Sequence, residues 1–74
     1  MNGFMSTEQV KRIKQRYPKG TRVCCDGMFD DPRPIEPGTC GTVIGVDDIG
    51  SIMVNWDNGR SLSLIVGVDG FHTI

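Results

Sequence analysis

The 74-residue sequence contains no apolar run near the ~18 residues that a membrane span requires. Its apolar stretches, such as Leu62 to Val66, are short. The opening Met1 to Met5 lacks a basic start followed by an apolar block, so no secretory leader is expected. There is no CxxC pair either. The three cysteines, Cys24, Cys25 and Cys40, are an odd set and a poor disulfide framework, from which a reducing, cytoplasmic setting is expected. Cys24 and Cys25 adjoin on a predicted strand and point to opposite faces, so they are not readily ligands of one metal. Four closing ligands at zinc spacing are not present, even with Cys40 and His72 counted.

Chemistry-bearing residues are equally sparse. His72 is the one histidine, and no nucleophile is evident beside it. The carboxylate pairs Asp30-Asp31 and Asp47-Asp48 are sequence neighbours in predicted loops. General acid–base work needs two carboxylates converging from different environments, so these read as solvated turn residues. The D-x-D-x-D spacing of a calcium loop is missing. A noncatalytic protein is expected, with no cofactor and no metal.

What is present is a turn-rich, foldable composition: ten glycines and four prolines alongside 38% hydrophobic residues, enough for a small core but not for disorder. A single domain of this length buries roughly 60% of its unfolded surface, leaving little room for an enclosed site. The net charge of -1 hides an asymmetry. Through Arg22 the chain carries Lys11, Arg12, Lys14, Arg16, Lys19 and Arg22 against Glu8, a net +5; the remainder holds Arg33 and Arg60 against eight acids, a net -6. A basic arm precedes an acidic body.

Residues 1–5 read as a flexible N-terminus. Residues 6–17 read as a basic amphipathic helix: Ser6-Thr7-Glu8-Gln9 is a capping box, Val10, Ile13 and Tyr17 form a narrow apolar stripe, and Pro18 and Gly20 end it. Residues 18–74 read as a small mainly β barrel of four or five strands. The predicted strands are Thr21 to Cys25, Thr39 to Val46, Ser51 to Trp56, Arg60 to Val66 and a short one near Phe71 to Ile74. Between the first two, Pro32, Pro34 and Pro37 forbid helix and interior strand and mark a long loop from Gly27 to Gly38.

Strand parity sets the hairpin at Asn55-Trp56-Asp57-Asn58-Gly59-Arg60-Ser61. A two-residue Asn58-Gly59 turn would place Leu62 and Leu64 on the opposite face from Ile52, Val54 and Trp56. A three-residue Asp57-Asn58-Gly59 loop pairs Trp56 with Arg60, Val54 with Leu62 and Ile52 with Leu64, gathering the large apolar groups on one face. Asp and Asn suit a type I turn, and Gly59 takes positive φ at little cost. Trp56 is open between two roles, closing the core or standing at its rim.

Four segments in order, Tyr17-Pro18-Lys19-Gly20-Thr21-Arg22-Val23, Pro37-Gly38-Thr39-Cys40-Gly41-Thr42-Val43, Val46-Asp47-Asp48-Ile49-Gly50 and Val54-Asn55-Trp56-Asp57-Asn58-Gly59, with Leu62, Leu64, Asp69 and Phe71, resemble the DUF4314 family. That resemblance implies an SH3-like barrel with no established activity, in small bacterial proteins often carried by phages and other mobile elements. The two Gly-Thr-Val and Trp-Asp-Asn-Gly hairpins are also similar to protein-binding modules of ubiquitin ligases.

The long loop and the hairpin end mark candidate contacts for a protein partner: Phe29, Arg33, Trp56 and Arg60, on the rim where SH3-like barrels hold peptides. The expected function is that of a noncatalytic protein-interaction module, an accessory that engages a host protein. A second reading is an anti-defence protein sequestering a nucleotide signal, with Arg22, Arg33 and Arg60 on phosphate; it expects an oligomer, since one small domain encloses little volume. A third is weak nucleic-acid binding through the helix, against which the acidic body and a pI near 5.6 count.

Overall fold

The computed structural model describes residues 6–28 and 31–74; the expected flexible N-terminus 1–5 and candidate Phe29 lie outside them. One helix, α1 (Thr7–Arg16), precedes four strands, β1 (Arg22–Gly27), β2 (Cys40–Val46), β3 (Ile52–Trp56) and β4 (Gly70–Thr73). The strands form one antiparallel sheet in the order β3-β2-β1-β4. The hydrogen-bonded sheet is open, and its ladder is interrupted by irregularities at Val43/Gly45 and Cys25/Gly27, which bend strands locally. The chain is mainly β with a short leading helix, as its residue pattern predicts.

The helix starts where its side chains can satisfy its first amides. Ser6 Oγ accepts from the Gln9 N–H at 3.2 Å, and Gln9 Oε1 accepts from the Ser6 N–H at 2.9 Å. Its two buried residues are Val10 and Ile13, which lay the helix on the body beside β2. Tyr17, at the C-cap, meets Phe71 of β4 with ring centroids 5.5 Å apart. A ten-residue helix is marginal alone, and these contacts supply what propensity does not. Across the junction, Lys14 Nζ lies 3.8 Å from Asp48 in an exposed ion pair, a geometry of small energetic weight.

The core gathers Val23, Val43, Ile52, Val54, Leu64 and Ile35, each at most 1% exposed. Five come from the strands and the hairpin; Ile35 comes from the proline-rich loop and ties it down. Trp56 is 3% exposed, so it belongs to the core and not to the rim. Burial of an indole N–H demands a partner, and Nε1 donates to the Leu62 carbonyl at 2.9 Å.

That bond also explains where the expected Arg60–Val66 strand departs from regularity. The segment pairs with β3 in the predicted register, Trp56 N–H to Arg60 O at 2.8 Å and Ile52 reciprocally with Leu64, but only as isolated bridges, Asn55 to Ser61 and Ile52 to Leu64. The Leu62 carbonyl is turned to the indole, and its own amide reaches Val54 O at a long 3.3 Å. The turn is the expected one, with Gly59 at φ 90° and its amide on Trp56 O at 3.0 Å.

The cysteines depart further from expectation. Cys24 and Cys40 sit directly opposite one another in the β1–β2 ladder and are joined by a disulfide. Cys24 and Cys25 do face opposite ways, as strand parity requires. Strand pairing then brings Cys40 to the outward-facing one, which alternation along a single strand does not show. Cys25 points inward, remains free, and its thiol lies 3.5 Å from the Ile35 carbonyl; burial pushes that thiol up from its ordinary value.

At Gly41 the neighbouring strand leaves no room for a side chain. A Cβ there would lie 2.7 Å from both the Asn55 carbonyl oxygen and Val54 Cγ1, and 3.0 Å from Trp56 Cα. None of these can move without disturbing the ladder or the core. Gly41→Ala is therefore expected to destabilise the domain by about 1–3 kcal/mol, the usual range for overpacking, read as a lowered urea midpoint at unchanged slope.

Candidate binding surface

The long loop between β1 and β2 is anchored from several directions. Its base is closed by the Cys24–Cys40 bridge and by the Cys25 and Thr39 backbones, Cys25 N–H to Thr39 O and Gly38 N–H to Cys25 O, both 2.8 Å. Inside, Met28 and Ile35 are buried, and the Ile35 amide points at Met28 Sδ, 3.4 Å away. On the outside, Asp31 accepts from the Arg33 N–H at 2.9 Å. Arg60 reaches across from the hairpin end to donate to the Pro34 carbonyl at 3.2 Å.

Arg60 thus reaches Pro34, the loop residue next to Arg33, whereas Trp56 lies beneath the surface. Arg60 acts here as a strut between hairpin and loop.

The third candidate arginine has a different engagement. Arg22 Nη1 and Nη2 donate to the two Asp57 oxygens at 2.8 and 2.6 Å, and Nη1 also donates to Thr42 Oγ1 at 3.0 Å. A planar guanidinium matched to a carboxylate is the strongest form of this contact. It links β1 to the hairpin tip, 35 residues away in sequence. For Arg22 to serve a phosphate, it would have to release Asp57, so the three arginines do not form one ready anion site.

Asp47 and Asp31 hold their own turns. Asp47 Oδ1 accepts from the amides of Ile49 at 3.2 Å and Ser51 at 2.8 Å, the turn role expected of it. On the helix, Lys11, Arg12 and Arg16 face solvent, with Arg16 5.7 Å from the Tyr17 ring centroid. Among the described residues, no cluster of three or more His, Cys, Asp or Glu is arranged to hold a metal ion. No helix among them is long and apolar enough to cross a membrane.

Sequence reasoning did not single out the outer face of the β2–β3 hairpin. Ile44 and Met53, with Leu62, Ser61, Ser63 and the edge of Val54, line an open, largely apolar groove of about 350 Å³. Ile44 is 44% exposed. The signal for it was the run Thr42-Val43-Ile44, in which adjacent β-branched residues on a strand must face both ways. Ser61 and Ser63 flank the groove on the neighbouring segment, and Ser61 Oγ donates to Asn55 Oδ1 at 3.0 Å.

A small antiparallel β domain with a docked basic helix, a stapled loop and an apolar groove on its outer sheet face is what these residues build. The chain belongs to the DUF4314 family, a domain of unknown function whose family model matches residues 6–74. No curated protein and no solved structure matches the chain.

The Arg22–Asp57 pair has a pH signature. The side-chain hydrogen bonds from Arg22 hold the Asp57 carboxyl below its ordinary value of 3.8, and the same contact raises Arg22. A carboxyl depressed on folding adds stability that is present above the unfolded value and is lost as pH falls through the folded one. Asp57→Asn should therefore be the less stable form at neutral pH by a small margin, both groups being exposed. The gap should close as pH falls below 3.8, measured by urea melts at a series of pH values.

Proposed function

We propose that this domain is a noncatalytic binding module that holds a segment of a protein partner in the groove formed by Ile44, Met53 and Leu62. The observation that carries the reading is an apolar groove on the outer sheet face in which Ile44 is 44% exposed and Met53 half-buried, neither of them part of the core cluster. Such side chains gain from being covered, at roughly 25 cal/mol for each Å² of apolar surface removed from water.

The groove is open along one side, which leaves much of a small ligand in water; an extended protein segment covers it better. Serines on its margin offer hydroxyls to a peptide backbone, and apolar pockets with polar edges are how such segments are recognised. Arg60 and the stapled loop border the domain elsewhere and hold the hairpin in place.

Replacing Met53 with a photo-crosslinking amino acid should yield a discrete adduct in the native cell. The same probe at Gln15, on the exposed side of α1, should not. Ile44→Asp should weaken capture about tenfold, which corresponds to losing near 1.4 kcal/mol of apolar burial. Equal adducts from both probe positions, or capture unchanged in a folded Ile44→Asp protein, would place the contact elsewhere.

A further inference from the structure

We propose that Cys24 and Cys40 form a reversible thiol-exchange site, with a small thiol as co-reactant and His72 assisting the departure of Cys24. The proposal is independent of the groove and rests on what surrounds the disulfide. Cys24 and Cys40 are paired on the outer face of the sheet, and neither belongs to the core cluster that contains Cys25. Cys40 is the more accessible half, Cys24 being 7% exposed.

The strands on which they sit are also held by bonds other than the bridge. Backbone hydrogen bonds hold β1 to the β2 side at Cys25–Thr39 and at Thr21–Val43, each 2.8 Å, so the bond can open without separating the ladder.

The second observation lies on the next strand. His72 of β4 is directly opposite Cys24, on the side away from Cys40. Its Nδ1 is 2.9 Å from both oxygens of Asp26, which holds the ring against β1, the strand that carries Cys24. An imidazolium next to a sulfur stabilises the thiolate, and a stabilised thiolate is a faster leaving group in exchange. Among the described residues, Arg22 and Asp57 also lie near this face, bonded to one another. Asp26 is the ring's own partner.

A thiolate attacks Cys40 Sγ; the new S–S bond forms as the Cys24–Cys40 bond breaks, and the bonding pair leaves on Cys24. A second thiolate attacks the outer sulfur of the mixed disulfide, releasing Cys40 as thiolate and the small molecule as its disulfide. The two protons given up by the small thiols end on the two cysteines. Two thiols are oxidised to one disulfide, and the protein disulfide takes up two electrons. Cys25 stands apart, since an inward-facing, buried thiol is a poor nucleophile.

The test treats the folded, full-length chain with millimolar reduced glutathione and then with glutathione disulfide, following the cysteines by maleimide labelling and intact mass. The bond should open and re-form, and the Cys24→Ser protein should accumulate glutathione on Cys40. His72→Gln should slow opening by roughly three- to tenfold, as expected when the leaving thiolate loses a stabilising neighbour. His72→Lys, which places a positive charge at the same position, should restore the rate. A bond that survives glutathione in the folded protein overturns the proposal and makes the bridge a purely structural staple. Equal rates for wild type and His72→Gln, or no rescue by lysine, also overturn it.

Discussion

The domain depends on the way one hairpin is closed. With three residues in the turn, Trp56 N–H meets Arg60 O, and Ile52, Val54, Trp56 and Leu64 all face inward. A slip of one residue would send Leu64 and its neighbours to the opposite face, and a core of this size has no second layer to compensate. Everything laid on the core inherits that register: Ile35 from the loop, Ile13 from the helix, and the Arg60 strut to Pro34.

The buried indole sharpens the same constraint. By taking the Leu62 carbonyl, Trp56 removes a rung from the ladder and replaces it with a side-chain bond available in only one register. The cost is a less regular strand after the turn. The benefit is specificity, because a slipped hairpin would leave an indole N–H buried without a partner, a penalty of roughly 1–3 kcal/mol. Gly41 completes the arrangement from the other side, admitting β3 to a distance no larger residue allows.

Much of this was legible in the sequence, and for identifiable reasons. The capping box, the stop at Pro18, the proline loop and the hairpin register are local signals, each decided within a dozen residues. The helix's apolar stripe likewise predicted which side chains would be buried. What could not be read were events that join distant strands. The Cys24–Cys40 pairing, the Arg22–Asp57 link and the placement of His72 beside Asp26 all depend on which strand lies next to which. Of the four rim candidates, Arg33 and Arg60 lie at the surface or partly so, Trp56 went to the core, and Phe29 is outside the described residues. The groove escaped notice because its members, Ile44, Met53 and Leu62, come from three different segments.

The adjacent cysteines on β1 carry a consequence for the order of events during biogenesis. In an unfolded chain, Cys24 and Cys25 are nearly equivalent partners for Cys40, and nothing local tells an oxidant which to choose. Only strand alternation separates them, turning one outward to Cys40 and the other toward Ile35. Closure of the β1–β4 ladder is also late in character, since it joins residues as far apart as Asp26 and His72, 46 positions along the chain, and non-local pairing is slow. Oxidation ahead of pairing would join Cys25 to Cys40 in a share of the molecules and oppose the alternation on which the core is built. Acquiring shape first and the covalent crosslink afterwards avoids that mixture.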